Sequence, residues 1–269
     1  MHTNINNFSF RNTFPLLFLL SIFSHQSLAI TNIEKDRITK SEEGFNGNVQ
    51  LNLSGESGNN EKREIEIGSH IRWTNQDFEW LNWFSRLREE KDNTIIDNET
   101  YLHSRLIHNH KKVLADEYFT QYEHSPFDGL KRRLLLGAGL RWHSWNKPKT
   151  SDLKASGHGY QGFGLFQEHI REIDQGQTEV EKNYRANLYS HWIYQHSGEN
   201  AISTSVTLYI QPNLADTDDV KSLLQAQLTL PISEQFGLQW QWQSKWDTRP
   251  PSESSKRIHN ASMLLTYSF

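Results

Sequence analysis

The stretch FGLQWQWQSKW, residues 236 to 246, places Phe236, Leu238, Trp240, Trp242, Ser244 and Trp246 at even positions, with Gln239, Gln241, Gln243 and Lys245 between them. Successive side chains of an extended strand point to opposite faces. One face of this segment is therefore apolar and aromatic and the other polar, whereas a helix would scatter both sets around its circumference. The same period of two recurs in the neighbouring segments. Val220, Leu224, Ala226, Leu228 and Leu230 alternate with Leu223, Gln225, Gln227 and Thr229. Ile202, Thr204, Val206, Leu208 and Ile210 alternate with Ser203, Ser205, Thr207 and Tyr209. Tyr184, Ala186, Leu188, Trp192 and Tyr194 oppose Arg185, Asn187, Tyr189 and His191, and Ile65, Ile67, Ile71 and Trp73 oppose Glu64, Glu66, His70 and Arg72.

Segments bounded by turn residues predict about twelve strands, at 45–56, 61–74, 78–90, 98–109, 113–123, 130–145, 158–170, 180–195, 199–211, 218–230, 235–247 and 257–269. The segment FEWLNWFSRLREE at 78–90 also places Trp80, Trp83, Phe84 and Leu87 at helical spacing. An amphipathic helix competes there, and the short polar turn Asn75-Gln76-Asp77 before it favours the strand. An even count of alternating strands with apolar outer faces predicts an all-β fold, a transmembrane antiparallel up-and-down β-barrel over residues 44–269. Its competitor is a soluble β-sandwich. With the first strand running outward, NQD, HKK, HSGEN and ISEQ are expected as short inner turns. EKDNTIIDN, SPFDG, IDQGQTEVE, PNLADTDD and TRPPSESSK are expected as longer outer loops. The thirteen-residue connection at 147–159 does not fit that asymmetry.

The apolar run FPLLFLLSIF at 14–23 is ten residues long, short of the ~20 that a membrane-spanning helix needs. It follows Arg11 and leads to Ser27-Leu28-Ala29, the pattern of a secretory signal peptide over 1–29 with cleavage after Ala29. Residues 30–43 are polar and unpatterned, as in a mobile periplasmic leader. Mean hydropathy is -0.74, too polar for a helical membrane bundle. Lys and Arg number 28 against 32 Asp and Glu, and no basic domain suggests nucleic acid. There are no cysteines, which removes disulfides and thiolate chemistry. The partners expected are outer-membrane lipid and, during biogenesis, the barrel-assembly machinery.

The chain ends NASMLLTYSF, with Met263, Leu265, Tyr267 and Phe269 on one face. A terminal Phe after alternating apolar residues resembles the signal by which that machinery recognises outer-membrane proteins. The Gly-rich first segment GFNGNVQLNLSGESGN at 44–59, the central LLLGAGLRW at 134–142 and the W-x-x-x-PP loop at 246–251 extend the likeness. Over residues 44–269 the chain resembles the YdiY-like salt-induced outer-membrane proteins, a group otherwise described as a domain of unknown function. That resemblance implies location and fold, and it supplies no catalytic motif.

The polar inward positions expected are Glu64, Glu66, His70, Arg72, Arg141, Arg185, His191, Gln239, Gln241, Gln243 and Lys245. They either pair across the interior or line a conduit. About twelve strands lie between the eight that side chains fill and the sixteen that hold an aqueous channel, which favours a largely occluded lumen. His196-Ser197 lacks the spacing of an outer-membrane acyl hydrolase, and adjacent strand residues point apart. His103, His108 and His110 form the densest histidine group, His108 and His110 sharing a face if extended, without a carboxylate placed to complete a metal site. No catalytic residue, cofactor or metal is expected. Three roles compete: a structural or envelope-stress barrel, a narrow small-solute channel, and a lipid-modifying enzyme.

Deleting Phe269 should lower the amount of protein in outer-membrane fractions and raise its periplasmic degradation, while deleting residues 31–40 should do neither. Immunoblots of fractionated cells test this. Equal levels with and without Phe269 would reduce the chain's ending to an ordinary strand.

Overall fold

In the computed structural model, the described residues are 43–57, 61–147, 155–196, 202–233, 236–250 and 255–267. The expected signal peptide, all but the last residue of the leader, and Phe269 lie outside them. Twelve strands follow one another: β1 (Gly44–Glu56), β2 (Lys62–Thr74), β3 (Phe78–Lys91), β4 (Thr94–His108), β5 (Leu114–Ser125), β6 (Leu130–Lys147), β7 (Ala155–Asp174), β8 (Gln177–His196), β9 (Ser203–Pro212), β10 (Val220–Pro231), β11 (Phe236–Asp247) and β12 (Arg257–Tyr267). Each pairs antiparallel with the next, in sequence order, to form one sheet. The segment 78–91, for which a helix competes on spacing, is strand β3, paired along its length with β2 and β4.

The sheet is an up-and-down barrel wall with its polarity turned inside out. Large apolar side chains stand on the outer face, among them Leu136 at 67% exposure and Phe163 at 57%, while Arg133 and Glu168 on the inner face are fully buried. Register keeps the two sets apart. Trp242 sits beside Ala226 and Ala261, and Gln241 beside Gln227 and Ser262, so outward residues meet outward ones. Exposed apolar surface on this scale costs roughly 25 cal/mol per Å² in water. A continuous apolar patch beyond a few hundred Å² marks a surface that meets a membrane or another protein. The sheet curls enough for the Tyr189 hydroxyl on β8 to donate to Glu117 on β5 at 2.8 Å. Among the described residues no ladder joins β1 to β12, and β1 leaves Phe45 74% exposed.

Two of the long outer loops expected from the sequence are instead tight hairpins. EKDNTIIDN turns at Asp92 and Asn93, with φ of 49° and 62°, and IDQGQTEVE turns at Gln175 and Gly176, with φ of 48° and 75°. Positive φ at both central residues is the type I′ turn, whose twist matches that of paired strands. Asp, Asn and Gly reach this region most readily, so the strands run on through residues that look like polar loop. SPFDG holds the one-turn 3-10 helix Pro126–Asp128. The connection expected at 147–159 shortens to 148–154, because β6 and β7 extend into it; those seven residues are not described.

The outward-facing assignment gives a measurable expectation. Phe163→Lys, near the middle of β7, should cost ~2 to 4 kcal/mol of folding free energy into lipid vesicles. Gln241→Lys, on the inner face, should cost clearly less. Urea titration of folding into bilayers compares them, and equal costs would overturn the assignment.

Candidate functional site

The inner face of β5 to β8 and the start of β10 carry a chain of alternating charges. Glu168 on β7 accepts from Arg133 Nε on β6 at 2.6 Å and from Arg185 Nε on β8 at 2.8 Å. Arg133 also donates to Glu123 on β5 at 3.1 Å. Arg185 holds Asp219, just before β10, through Nη2 at 2.6 Å and Nη1 at 3.2 Å, and donates to the Gln211 carbonyl at 3.2 Å. Register explains the contacts. Arg133 lies opposite Ile170 and Arg185 opposite Phe166, so Glu168 is the diagonal neighbour of both. Such diagonals are within reach of long side chains.

A second inner group centres on Glu117, which takes the Tyr189 hydroxyl at 2.8 Å and faces Arg105 at 3.4 Å. The Tyr189 ring lies over Gly162, where an added Cβ would collide with it. Glycine there is a requirement of the cross-lumen contact. Nearby, the Arg105 guanidinium stands 5.5 Å from the Phe119 ring centroid, and Phe119 packs with Leu135 and Phe166. On the same inner face, Arg141 sits 3.8 Å over the Tyr160 ring, which stacks on His143.

The inward residues read from sequence divide into three sets. Arg72, Arg141, Arg185 and His191 are buried. Arg72 pairs with Glu79 at 2.5 Å, and His191 contacts Thr207 at 2.7 Å. Glu64, Glu66 and His70 are half-buried on β2, with His70 stacked on Trp83. Gln239, Gln241, Gln243 and Lys245 are half-buried along β11. Backbone pairing places Leu265 opposite Leu238 and Tyr267 opposite Phe236, and Met263 is exposed. The expected histidine group diverges. His103 is buried against Gln121, His108 contacts Asp116, and His110 lies in the turn after β4 against the Asn75 carbonyl. His110 therefore does not share a strand face with His108. Among the described residues no three His, Asp or Glu side chains gather as a metal site. Ser197, beside His196, is not described.

Sequence reasoning missed Glu117, Glu123, Arg133, Glu168 and Asp219. Alternation hides most of them because the inner face there also carries Phe119, Leu135, Phe166 and Ile170, which blur the contrast between faces. The adjacent Arg132-Arg133 before a leucine run was the available signal, since opposite faces force one of the two inward.

A family model described as "Protein of unknown function, DUF481" matches residues 49–269, from within β1 to the end of the chain. The chain belongs to this family. No curated protein matches it. Among solved structures it is similar to one titled as a NanC porin, with 12% identity, a TM-score of 0.40, and coverage of 82% of this chain and 100% of that one. In this DUF481 chain the buried ion-pair chain is the most strongly built polar feature of the described inner face.

Glu168→Ala should destabilise the protein by ~3 to 5 kcal/mol, because it leaves Arg133 and Arg185 buried without their shared counter-charge. Replacing Glu123, Arg133, Glu168, Arg185 and Asp219 together with apolar residues of similar volume leaves no member of the chain without its counter-charge and should cost less than that single change. Urea unfolding in detergent checks both; a loss below about 1 kcal/mol for Glu168→Ala would mean that water replaces the carboxylate.

Proposed function

We propose that this chain is a bacterial outer-membrane β-barrel whose lumen is closed by its own side chains, a structural element of the cell envelope and not an open pore. The observation that carries the reading is the buried Arg133–Glu168–Arg185–Asp219 chain on the inner face of a wall whose outer face is apolar. In an aqueous channel such charges would be hydrated individually. Here they neutralise one another, and the Tyr189–Glu117 bond spans from β8 to β5. The terminal residues Leu265, Tyr267 and Phe269 would be what the barrel-assembly machinery reads, and lipid is the partner of the outer face. The reading assigns no catalytic step and no cofactor.

A narrow conduit for small polar solutes is the second reading. It is favoured by the inner positions Gln239, Gln241 and Gln243, which are half-buried and not sealed.

Refolded full chain in planar bilayers decides between the two. The occluded reading expects no steady single-channel conductance from the native protein, and steps that appear when Arg133, Glu168 and Arg185 are all replaced by Ala. Regular steps from the native protein would replace it with the conduit.

A further inference from the structure

The outer wall is not smooth. Over β4 to β8 it holds an apolar groove of about 580 Å³ walled by Leu106, Tyr118, Leu136, Leu165 and Tyr184, with Ala138 as its low floor. A depression in a lipid-facing wall loses dispersion contacts unless something fills it. Bulk acyl chains fill such a space without preference, so the groove alone selects nothing. What lies above it does.

Toward the hairpin ends, the outer positions of the same strands become cationic. Arg132 alternates with the inward Arg133 on β6, and Arg171 lies opposite it on β7. His169 lies opposite Lys182 on β8. At ~3.3 Å per residue, Arg132 stands roughly 13 Å along the strand from Leu136 in the groove wall. The Lys131 ammonium reaches over β7 to the Thr178 hydroxyl at 2.7 Å, which ties the three strands together at this level. Alternation puts the carboxylates of this stretch, Glu168, Glu172, Glu179 and Glu181, on the opposite face. Among the described residues no carboxylate pairs with Arg132, Arg171 or Lys182.

We propose that the outer face of β6 to β8 binds a phosphorylated, multiply acylated glycolipid of the outer leaflet, one acyl chain lying in the groove and a phosphate held by Arg132, Arg171 and Lys182. Guanidinium groups match phosphate oxygens in bidentate geometry. The order along the strands, apolar groove first and cations beyond it, matches a lipid with chains in the hydrocarbon and phosphate at the interface. A second copy of the chain fits less well, since Arg132, Arg171 and Lys182 on one copy would face cations on the other in an isologous contact.

This proposal rests on the outer-membrane reading, and its test separates the two. Full chain is refolded in detergent and incubated with purified diphosphorylated lipid A or with the same lipid stripped of phosphate, and retained lipid is counted by native mass spectrometry. The expected result is retention of the phosphorylated lipid and loss of the dephosphorylated one. With Arg132→Glu, Arg171→Glu and Lys182→Glu combined, retention should fall roughly tenfold or more. Arg86→Glu, on the outer face of β3, should leave it unchanged, and Ala138→Trp, which fills the groove, should lower it. Each variant is first shown to migrate as a heat-modifiable folded species, with Arg171→Glu alone replacing the triple variant should that fail to fold. Equal retention of both lipids, retention indifferent to the charge reversals, or a lipid-insensitive dimer would overturn the lipid site. Failure of the native chain to enter detergent micelles or vesicles would instead overturn the membrane reading beneath it.

Discussion

A wall one strand thick has no core of its own, so every side chain must be accommodated by whichever medium its face meets. In an extended chain neighbouring residues face opposite media, and a register slip of one residue would exchange the two sets entirely. Here the outer medium suits Leu136, Leu140 and Phe163 and the inner one suits Arg133, Glu168 and Arg185. Backbone pairing from β1 to β12 satisfies the peptide groups between neighbouring strands, which the proposed hydrocarbon surround would make obligatory. The barrel thus depends on a single constraint, the strict separation of two faces across one layer.

That separation moves the burden of specificity inward. In the proposed membrane setting, apolar contacts on the outside would be made with lipid and would discriminate little between arrangements. The inner face contains small apolar clusters, Leu81 with Trp83, Ile107 and Ala115, and Tyr189 with Tyr209 and Leu223, set among charged groups. Buried charges are costly unless each is paired and hydrogen-bonded. Glu168 meets that condition by taking two guanidinium donors, and Asp219 by accepting from the two terminal nitrogens of Arg185 and from the Asn213 amide. Such pairing tolerates one arrangement of β5 to β8 far better than its neighbours in register.

The strands were readable wherever the two faces differ sharply in polarity, as along β2, β8 and β11. FGLQWQWQSKW alone fixes its own orientation because glutamine and tryptophan leave no ambiguity. Residues 166–170 illustrate the limit: Phe166, Glu168 and Ile170 share the inner face, so polarity cannot assign it without the register of β6 and β8. The hairpin ends were misjudged for a different reason. Polar composition looks like loop, yet a strand that has left the apolar layer needs polar residues on both sides, and only the backbone angles at Asp92–Asn93 and Gln175–Gly176 distinguish it. Pairings such as Tyr189 with Glu117 join residues 72 positions apart and follow from curvature, which has no local signature.

The β7–β8 hairpin has a mechanical consequence. Each of its strands is 20 residues long, about twice the ~9 to 11 that cross a bilayer, and its tip is a two-residue turn. The excess is therefore a paired ribbon, stiff along its length, and not a tethered loop sweeping a volume. In the proposed outer-membrane barrel, Gln177, Thr178 and Glu179 would be held at a set height and bearing above the rim. A receptor, phage or antibody meeting them would lose little entropy in ordering them, and a protease would find their backbone already hydrogen-bonded. An epitope grafted between Gln175 and Gly176 would be displayed as on the end of a post.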